Sequence, residues 1–289
     1  MTDGWHLPPL RSGHPADAAL LERRTRAAGQ ARDGDRFEEA EIGGVRCLIV
    51  TPAQGGAQGD MLYLHGGGYR LGSPLAYIAY ARGIADACRR RLVLPFYRLA
   101  PEHPFPAALH DAVAVYRALP DPGSVVVAGD SAGAGLAAAL AILAGAAGVS
   151  PAGAILVSPM LDLQARGESL ERNAARDPLF SKAAVLDCAE LYLQGHAPSD
   201  PLVSAIEADP SAFPPLLLLI GGAEVLLDET LDFASRLARA DRRVTLHVAP
   251  GMGHVWPLMT MGTAPASEAV AAICGFVAGL IPSKSGGSV

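Results

Sequence analysis

One pentapeptide constrains this chain more than any other: Gly129-Asp130-Ser131-Ala132-Gly133. The apolar run Val125-Val126-Val127-Ala128 leads into it, and the Ala/Leu-rich run from Leu136 to Leu143 leads out. A strand, then G-x-S-x-G, then a helix is the setting in which the motif marks a nucleophile elbow. The turn is sharp and lifts a serine hydroxyl above the carboxyl end of a sheet. Its glycines leave room where neighbouring backbone passes close by. Among 32 glycines, such a pentapeptide alone would read as a Gly/Ser turn. The flanking runs favour the elbow.

An elbow needs a sheet, and the chain provides one. At 289 residues, half of them hydrophobic and 18% charged, it is expected to bury a full core within a single domain spanning 1–289. A formal charge of −6 offers no basic face for nucleic acid or anionic lipid. No apolar run reaches the length of a membrane helix, and Met1 to Leu10 lacks the order of a signal peptide. Cys47, Cys88, Cys188 and Cys274 stand far apart in no paired spacing, so they read as buried thiols and not as a disulfide framework or zinc site. A cytoplasmic protein is expected.

An amphipathic helix is predicted from about Pro15 to Arg32. The strands Arg36–Ile42 and Val45–Val50 follow, turned at Gly43-Gly44. Strand–helix alternation then takes over: strand Met61–Leu64, helix Pro74–Cys88, strand Arg91–Tyr97 interrupted by Pro95, and helix Pro106–Leu119. It continues with strand Ser124–Ala128, helix Ala132–Ala147 and strand Ala154–Ser158. From about Leu163 to Phe213 the rhythm breaks into a charged, proline-interrupted insertion with a helix at Lys182–Gln194. Strand Pro215–Ile220, helix Glu229–Ala240, strand Arg243–Val248 and helix Pro265–Leu280 restore it, before a Ser/Gly-rich tail expected to be disordered. Repeated βα units after a hairpin predict a mostly parallel sheet with helices on both faces.

Acyl transfer through Ser131 requires a base, a group that orients the base, and donors for the oxyanion. Each is sought after the carboxyl end of a strand. His65-Gly66-Gly67-Gly68-Tyr69 follows the first parallel strand, and three glycines in a row let backbone N–H groups approach a substrate. Ala132, next to the serine, adds another N–H. His65 is read as bracing this loop. Among eight histidines, His254 in Pro250-Gly251-Met252-Gly253-His254 follows the last strand and is read as the base. The acid falls between Ser131 and His254. Glu224 comes first after strand Pro215–Ile220; Asp228 is its rival, although better placed to cap the helix beginning at Glu229, and Asp162 is a third candidate.

Taken together, His65-Gly66-Gly67-Gly68, Tyr97 to Ala108, Gly129 to Gly133, Ser158-Pro159 through Asp162-Leu163 and the Gly-Met-Gly-His ending at His254 resemble the hormone-sensitive-lipase-like, or family IV, carboxylesterases. The resemblance covers about residues 35 to 280. It implies an α/β-hydrolase fold with an eight-stranded sheet, its second strand antiparallel, and a helical cap built from about 1–35 and 163–213. It implies Ser131 as nucleophile, His254 as base, and the amides of Gly67, Gly68 and Ala132 as oxyanion donors. It departs from the family at Glu224, where Asp is frequent, at Met160, where Trp is common, and at Pro95-Phe96. Within Tyr97 to Ala108, Arg98 is expected to pair with Glu102. Tyr69, Leu71, Met160, Trp256 and the cap are expected to shape the substrate pocket.

The expected activity is hydrolysis of small, short- to medium-chain acyl esters through an acyl-enzyme, with no cofactor or metal and no nucleic-acid or membrane partner. A homodimer is expected because relatives often dimerise. Amide, lactone and carbonate substrates use the same triad. A lyase would not need the serine, and a binding relative would be expected to lose His254.

Overall fold

The computed structural model describes residues 4–32 and 34–280, so the Ser/Gly-rich tail lies outside the described residues. Helix α1 (Ala18–Ala27) precedes the hairpin β1 (Glu38–Ile42) and β2 (Val45–Val50). Then come β3 (Asp60–Leu64), α2 (Ile78–Cys88), β4 (Arg91–Pro95), α3 (Ala107–Ala118), β5 (Val126–Asp130), α4 (Ala132–Ala146) and β6 (Gly153–Val157). The insertion carries α5 (Ser169–Arg172) and α6 (Lys182–Leu193). The chain closes with β7 (Leu216–Gly221), α7 (Leu227–Arg239), β8 (Val244–Ala249), α8 (Trp256–Met259) and α9 (Ala264–Ala278).

All eight strands form one sheet in the order β1-β2-β4-β3-β5-β6-β7-β8. β2 runs antiparallel to both β1 and β4, and the other neighbours are parallel. The central strand β5 is buried throughout, as expected of a strand with helices on both faces. On one face Tyr116 of α3, Leu140 of α4 and Phe233 of α7 pack against Leu62, Val127 and Leu218. On the other, Ile84 of α2 and Ile273 of α9 pack against Met61, Val126 and Leu217. Helix α4 is buried almost all round, which explains its run of alanine and leucine with no polar stripe. β4 stops at Pro95, which has no N–H to extend the ladder.

Three expectations change. Helix α1 is shorter than predicted because only Leu20 is buried along it, and packing, not propensity, holds most protein helices. Its anchor is ionic: Arg24 grips Glu102 (Nη2–Oε2 2.7 Å) and donates from Nε to the Arg70 carbonyl (2.8 Å). Glu102 is therefore taken by α1, and Arg98 pairs with Asp111 of α3 at 2.7 Å. Cys88 and Cys274, far apart in sequence, bring their sulfurs to 2.6 Å because α2 and α9 pack side by side. Cys274 is only half-buried.

The elbow closes by backbone contact. A Cβ on Gly129 would lie 2.4 Å from the Gly133 carbonyl oxygen, and one on Gly133 only 2.1 Å from that of Leu64. Those neighbours are helix and strand backbone that cannot step aside. Gly133→Ala should therefore lower unfolding free energy in urea by about 3 kcal/mol or more. Stability equal to the parent's would contradict this packing.

Candidate active site

β5 delivers Ser131 at φ 53°, ψ −122°, a left-handed backbone that a non-glycine residue rarely adopts. The position is over-determined. Ser131 N–H donates to the Val157 carbonyl (2.9 Å), while its own carbonyl accepts from Ala134 (3.1 Å) and Met160 (3.1 Å). Its Oγ lies 2.9 Å from Nε2 of His254, which follows β8. Nδ1 of that ring lies 2.9 Å from Oε2 of Glu224, which follows β7. Because an ionised carboxylate only accepts, the proton sits on Nδ1 and the Nε2 lone pair faces the serine.

Glu224 is fully buried, and its other oxygen accepts from Gly221 N–H (2.6 Å) and the Ser158 hydroxyl (2.7 Å). Ser158 Oγ in turn accepts from Val255 N–H (2.9 Å), tying the acid to the backbone that follows the histidine. The loop accommodates glutamate's extra methylene through Gly221: a Cβ there would sit 2.9 Å from Glu224 Oε1. Asp228 stands elsewhere. It accepts from Ser169 N–H (2.7 Å) and pairs with Arg172, and it lies inside α7, whose first turn begins at Leu227. The expected capping role is thus replaced by a tie to the insertion. Asp162 is held by Arg166 at 2.9 Å and does not reach the histidine.

Burial alone would push the His254 imidazole down, but the hydrogen bond and charge of Glu224, with Asp177 and Asp130 beyond, raise it above its ordinary value. Burial raises Glu224 despite the same hydrogen bond. Phe180, from the insertion, stacks on the His254 ring with centroids 4.8 Å apart and planes at 8°. Buried Asp177 accepts from Phe180 N–H (3.1 Å) and Val225 N–H (3.1 Å), while Asn173 Nδ2 donates to the Glu224 carbonyl (2.8 Å). The insertion therefore grips both Glu224 and His254.

The glycine loop is held from behind. Gly66 N–H donates to Asp130 Oδ1 (3.0 Å), which also accepts from Tyr63, while Oδ2 accepts from Tyr77. Asp130 is scaffold, with its carboxyl pushed up to about 6 by burial. His65 stacks on Tyr97 (4.3 Å), contacts the Gly66 carbonyl through Nδ1 (2.7 Å), and is pushed down to about 4 by burial. It is a neutral brace. Gly67 (φ 120°) and Gly68 (φ 62°) take left-handed backbone, where side chains are strained. Among the described residues, no group accepts from the N–H of Gly67, Gly68 or Ala132. These three amides flank the serine unspent.

Ser131 and His254 open into a cavity of about 270 Å³ whose lining includes Gly67, Gly68, Leu71, Phe180, Leu258 and Met259. Tyr69, Met160 and Trp256 do not line it, which corrects the expected substrate contacts. Tyr69 is buried and stacked on Tyr192 of α6 (3.8 Å), and Met160 is buried in the core below the elbow. Trp256 turns to the opposite face of the sheet, against His247. Sequence distance to a catalytic residue does not fix which way a side chain points. Phe180 and Asp177 were missed because the insertion has no periodic pattern; Asp177-Pro178 was its only local signal. Among the described residues no group of three His, Cys, Asp or Glu could hold a metal ion, and no helix is long and apolar enough to cross a membrane.

A serine elbow, a histidine after β8 and a carboxylate after β7, set on this sheet, define an α/β hydrolase. The chain belongs to that family: the profile described as "alpha/beta hydrolase fold" matches residues 61–258. It is 43% identical over 212 residues to an acetyl-hydrolase of Streptomyces hygroscopicus, covering 72% of this chain and 71% of that one. An esterase of Acinetobacter venetianus is 34% identical, with 83% and 80% covered. A solved esterase from the bacterial hormone-sensitive lipase family superposes with a TM-score of 0.83 at 34% identity, over 92% of this chain and 100% of that one. The resemblance drawn from the motifs is borne out.

His254 should titrate, by NMR of its ring, with a midpoint above the ordinary 6.5. Asp177→Asn should lower that midpoint by removing one of the negative charges that favour the imidazolium. A wild-type midpoint at or below 6.5 would contradict the balance described.

Proposed function

We propose that this protein is a serine carboxylesterase that hydrolyses small acyl esters through an acyl-enzyme. The observation that carries the reading is the continuous chain Ser131 Oγ–His254–Glu224, at 2.9 Å per link, beside three backbone amides with no partner among the described residues. His254 Nε2 takes the serine proton as Oγ attacks the ester carbonyl carbon. The carbonyl π pair moves onto oxygen, where the amides of Gly67, Gly68 and Ala132 receive it. The α4 N-terminus adds its positive dipole end to the same point. Glu224 stabilises the imidazolium without taking its proton. On collapse the C–O bond to the alcohol breaks and His254 protonates the leaving oxygen. Water, deprotonated by His254, then attacks the acyl carbon, and the serine leaves with the proton.

We assign the cap to about residues 1–35 and 163–213, within one domain. The contacts of Phe180 with His254 and of α6 with the glycine loop support it. A cavity of about 270 Å³ lies just below the ~300–1,000 Å³ usual for ligand pockets, which favours short acyl chains. A cytoplasmic location fits a chain whose four cysteines are free thiols. A homodimer fits the edge strand β8, where Leu246 and Val248 are exposed.

Ser131→Ala should lose about 10⁶ in turnover and all labelling by a fluorophosphonate probe, read by mass spectrometry. Retained activity would overturn the nucleophile. Glu224→Gln should cost orders of magnitude more than Asp228→Asn; the reverse order would give the acid to Asp228. Soluble short-chain esters should turn over faster than emulsified long-chain ones, and the opposite preference would contradict the cavity's size.

A further inference from the structure

The cavity at Ser131 has two unlike walls. Phe180, Leu258 and Met259 make one of them apolar, whereas Arg23 of α1 and Arg70 make the other basic. The same two arginines border a larger cavity, about 540 Å³, between α1 and α6. They form the partition between an inner chamber holding the serine and an outer groove formed by the N-terminal helix and the insertion.

The two cations are not equivalent. Arg70 is buried, its guanidinium is paired with Asp187, and its Nε lies behind Gly68 with no partner. Its charge is committed to holding α6 against the glycine loop. Neighbouring cations on α1 are committed too: Arg24 to Glu102, and Arg26 to Glu22. Arg23 is exposed and makes no hydrogen bond or ion pair among the described residues. The carboxylates nearest the inner chamber cannot supply one. Asp130 is held by Tyr63, Tyr77 and Gly66, and Asp187 by Arg70. In the outer groove Asp17 already caps α1, Asp187 is held by Arg70, and Glu190 makes no ion pair with Arg23 among the described residues, which leaves the guanidinium open to an anion on the inner side.

We propose that Arg23 recognises an anionic group on the substrate, so that the preferred substrates are small esters bearing a carboxylate on the acyl or the alcohol part. This rests on the esterase reading above. A protein with a formal charge of −6 repels such a substrate at long range, and an uncompensated cation at the chamber's mouth reverses that locally. The guanidinium fork also fits a carboxylate in two-point contact. Arg23 acts on binding; the chemistry stays with Ser131 and His254.

The test uses two matched pairs differing only in charge. On the acyl side, mono-4-nitrophenyl glutarate is compared with 4-nitrophenyl glutaramate; on the alcohol side, acetoxyacetic acid with 2-acetoxyacetamide. At low ionic strength, kcat/KM corrected for background hydrolysis should favour the acid by about fivefold or more in one pair, which also tells which part carries the anion. Arg23→Gln should bring that ratio to about one, Arg23→Glu should invert it, and Arg23→Lys should keep most of it. Raising the salt should shrink the wild-type ratio. Equal rates within both pairs, or a ratio unchanged in Arg23→Gln, would overturn the proposal while leaving the esterase reading intact. Hydrolysis of none of the four compounds would overturn the esterase reading and this one with it.

Discussion

Backbone pressed against backbone at the elbow is the constraint on which the rest of the structure depends. Gly129 and Gly133 let β5, the start of α4 and the residues after β3 approach to distances no side chain permits. That approach sets Ser131 into its left-handed conformation and places the glycine loop beside it. It also aims the α4 N-terminus at the point where negative charge would develop. Replacing either glycine would push Ser131 away from the Gly67-Gly68 loop without touching any side chain around it.

Around this crossing, the molecule buries more carboxylate than a core normally tolerates, and it does so with partners. Glu224, Asp130 and Asp177 are each at least nine-tenths buried, and each accepts from several donors. A half-satisfied network of this kind would be worse than an apolar core; a satisfied one is rigid. Glu229 is the exception: one oxygen accepts from Leu161 N–H while the other has no partner among the described residues, and burial pushes its carboxyl well above the usual range. Rigidity matters here because it holds the 2.9 Å contacts from Ser131 to His254 and from His254 to Glu224. The insertion contributes to it through Asn173, Asp177 and Phe180, so the same segment that covers the site also holds its geometry.

The fold was legible because it is written in short local patterns. Alternating apolar strands and amphipathic helices gave the order of elements to within a few residues, and Pro95 marked the end of β4. The site's loops were legible for a related reason: glycines that must take left-handed backbone, or must face another chain segment, leave a signature in sequence. Where pairing required choosing among several charges, sequence proximity misled. Arg98 has Glu102 four residues away, yet the partner it finds is Asp111 on α3, because α1 reaches Glu102 first. Cys88 and Cys274 show the same thing for thiols, brought together by two helices that share a face.

The sequence by itself therefore determined the sheet and the elbow, placed Ser131 and His254 after strands, and put Glu224 ahead of Asp228 and Asp162 at the end of another. A strand's end fixes where a following residue starts, and the carboxyl ends of β5, β7 and β8 lie on the same side of a run of parallel strands. Only the tertiary structure decided which side chains face the cavity. Tyr69, Met160 and Trp256 turn into the protein, while Phe180 and Arg23 come in from segments remote in sequence. The physical reason is that side-chain direction depends on what packs against each residue from elsewhere in the chain, and no local pattern encodes that neighbour.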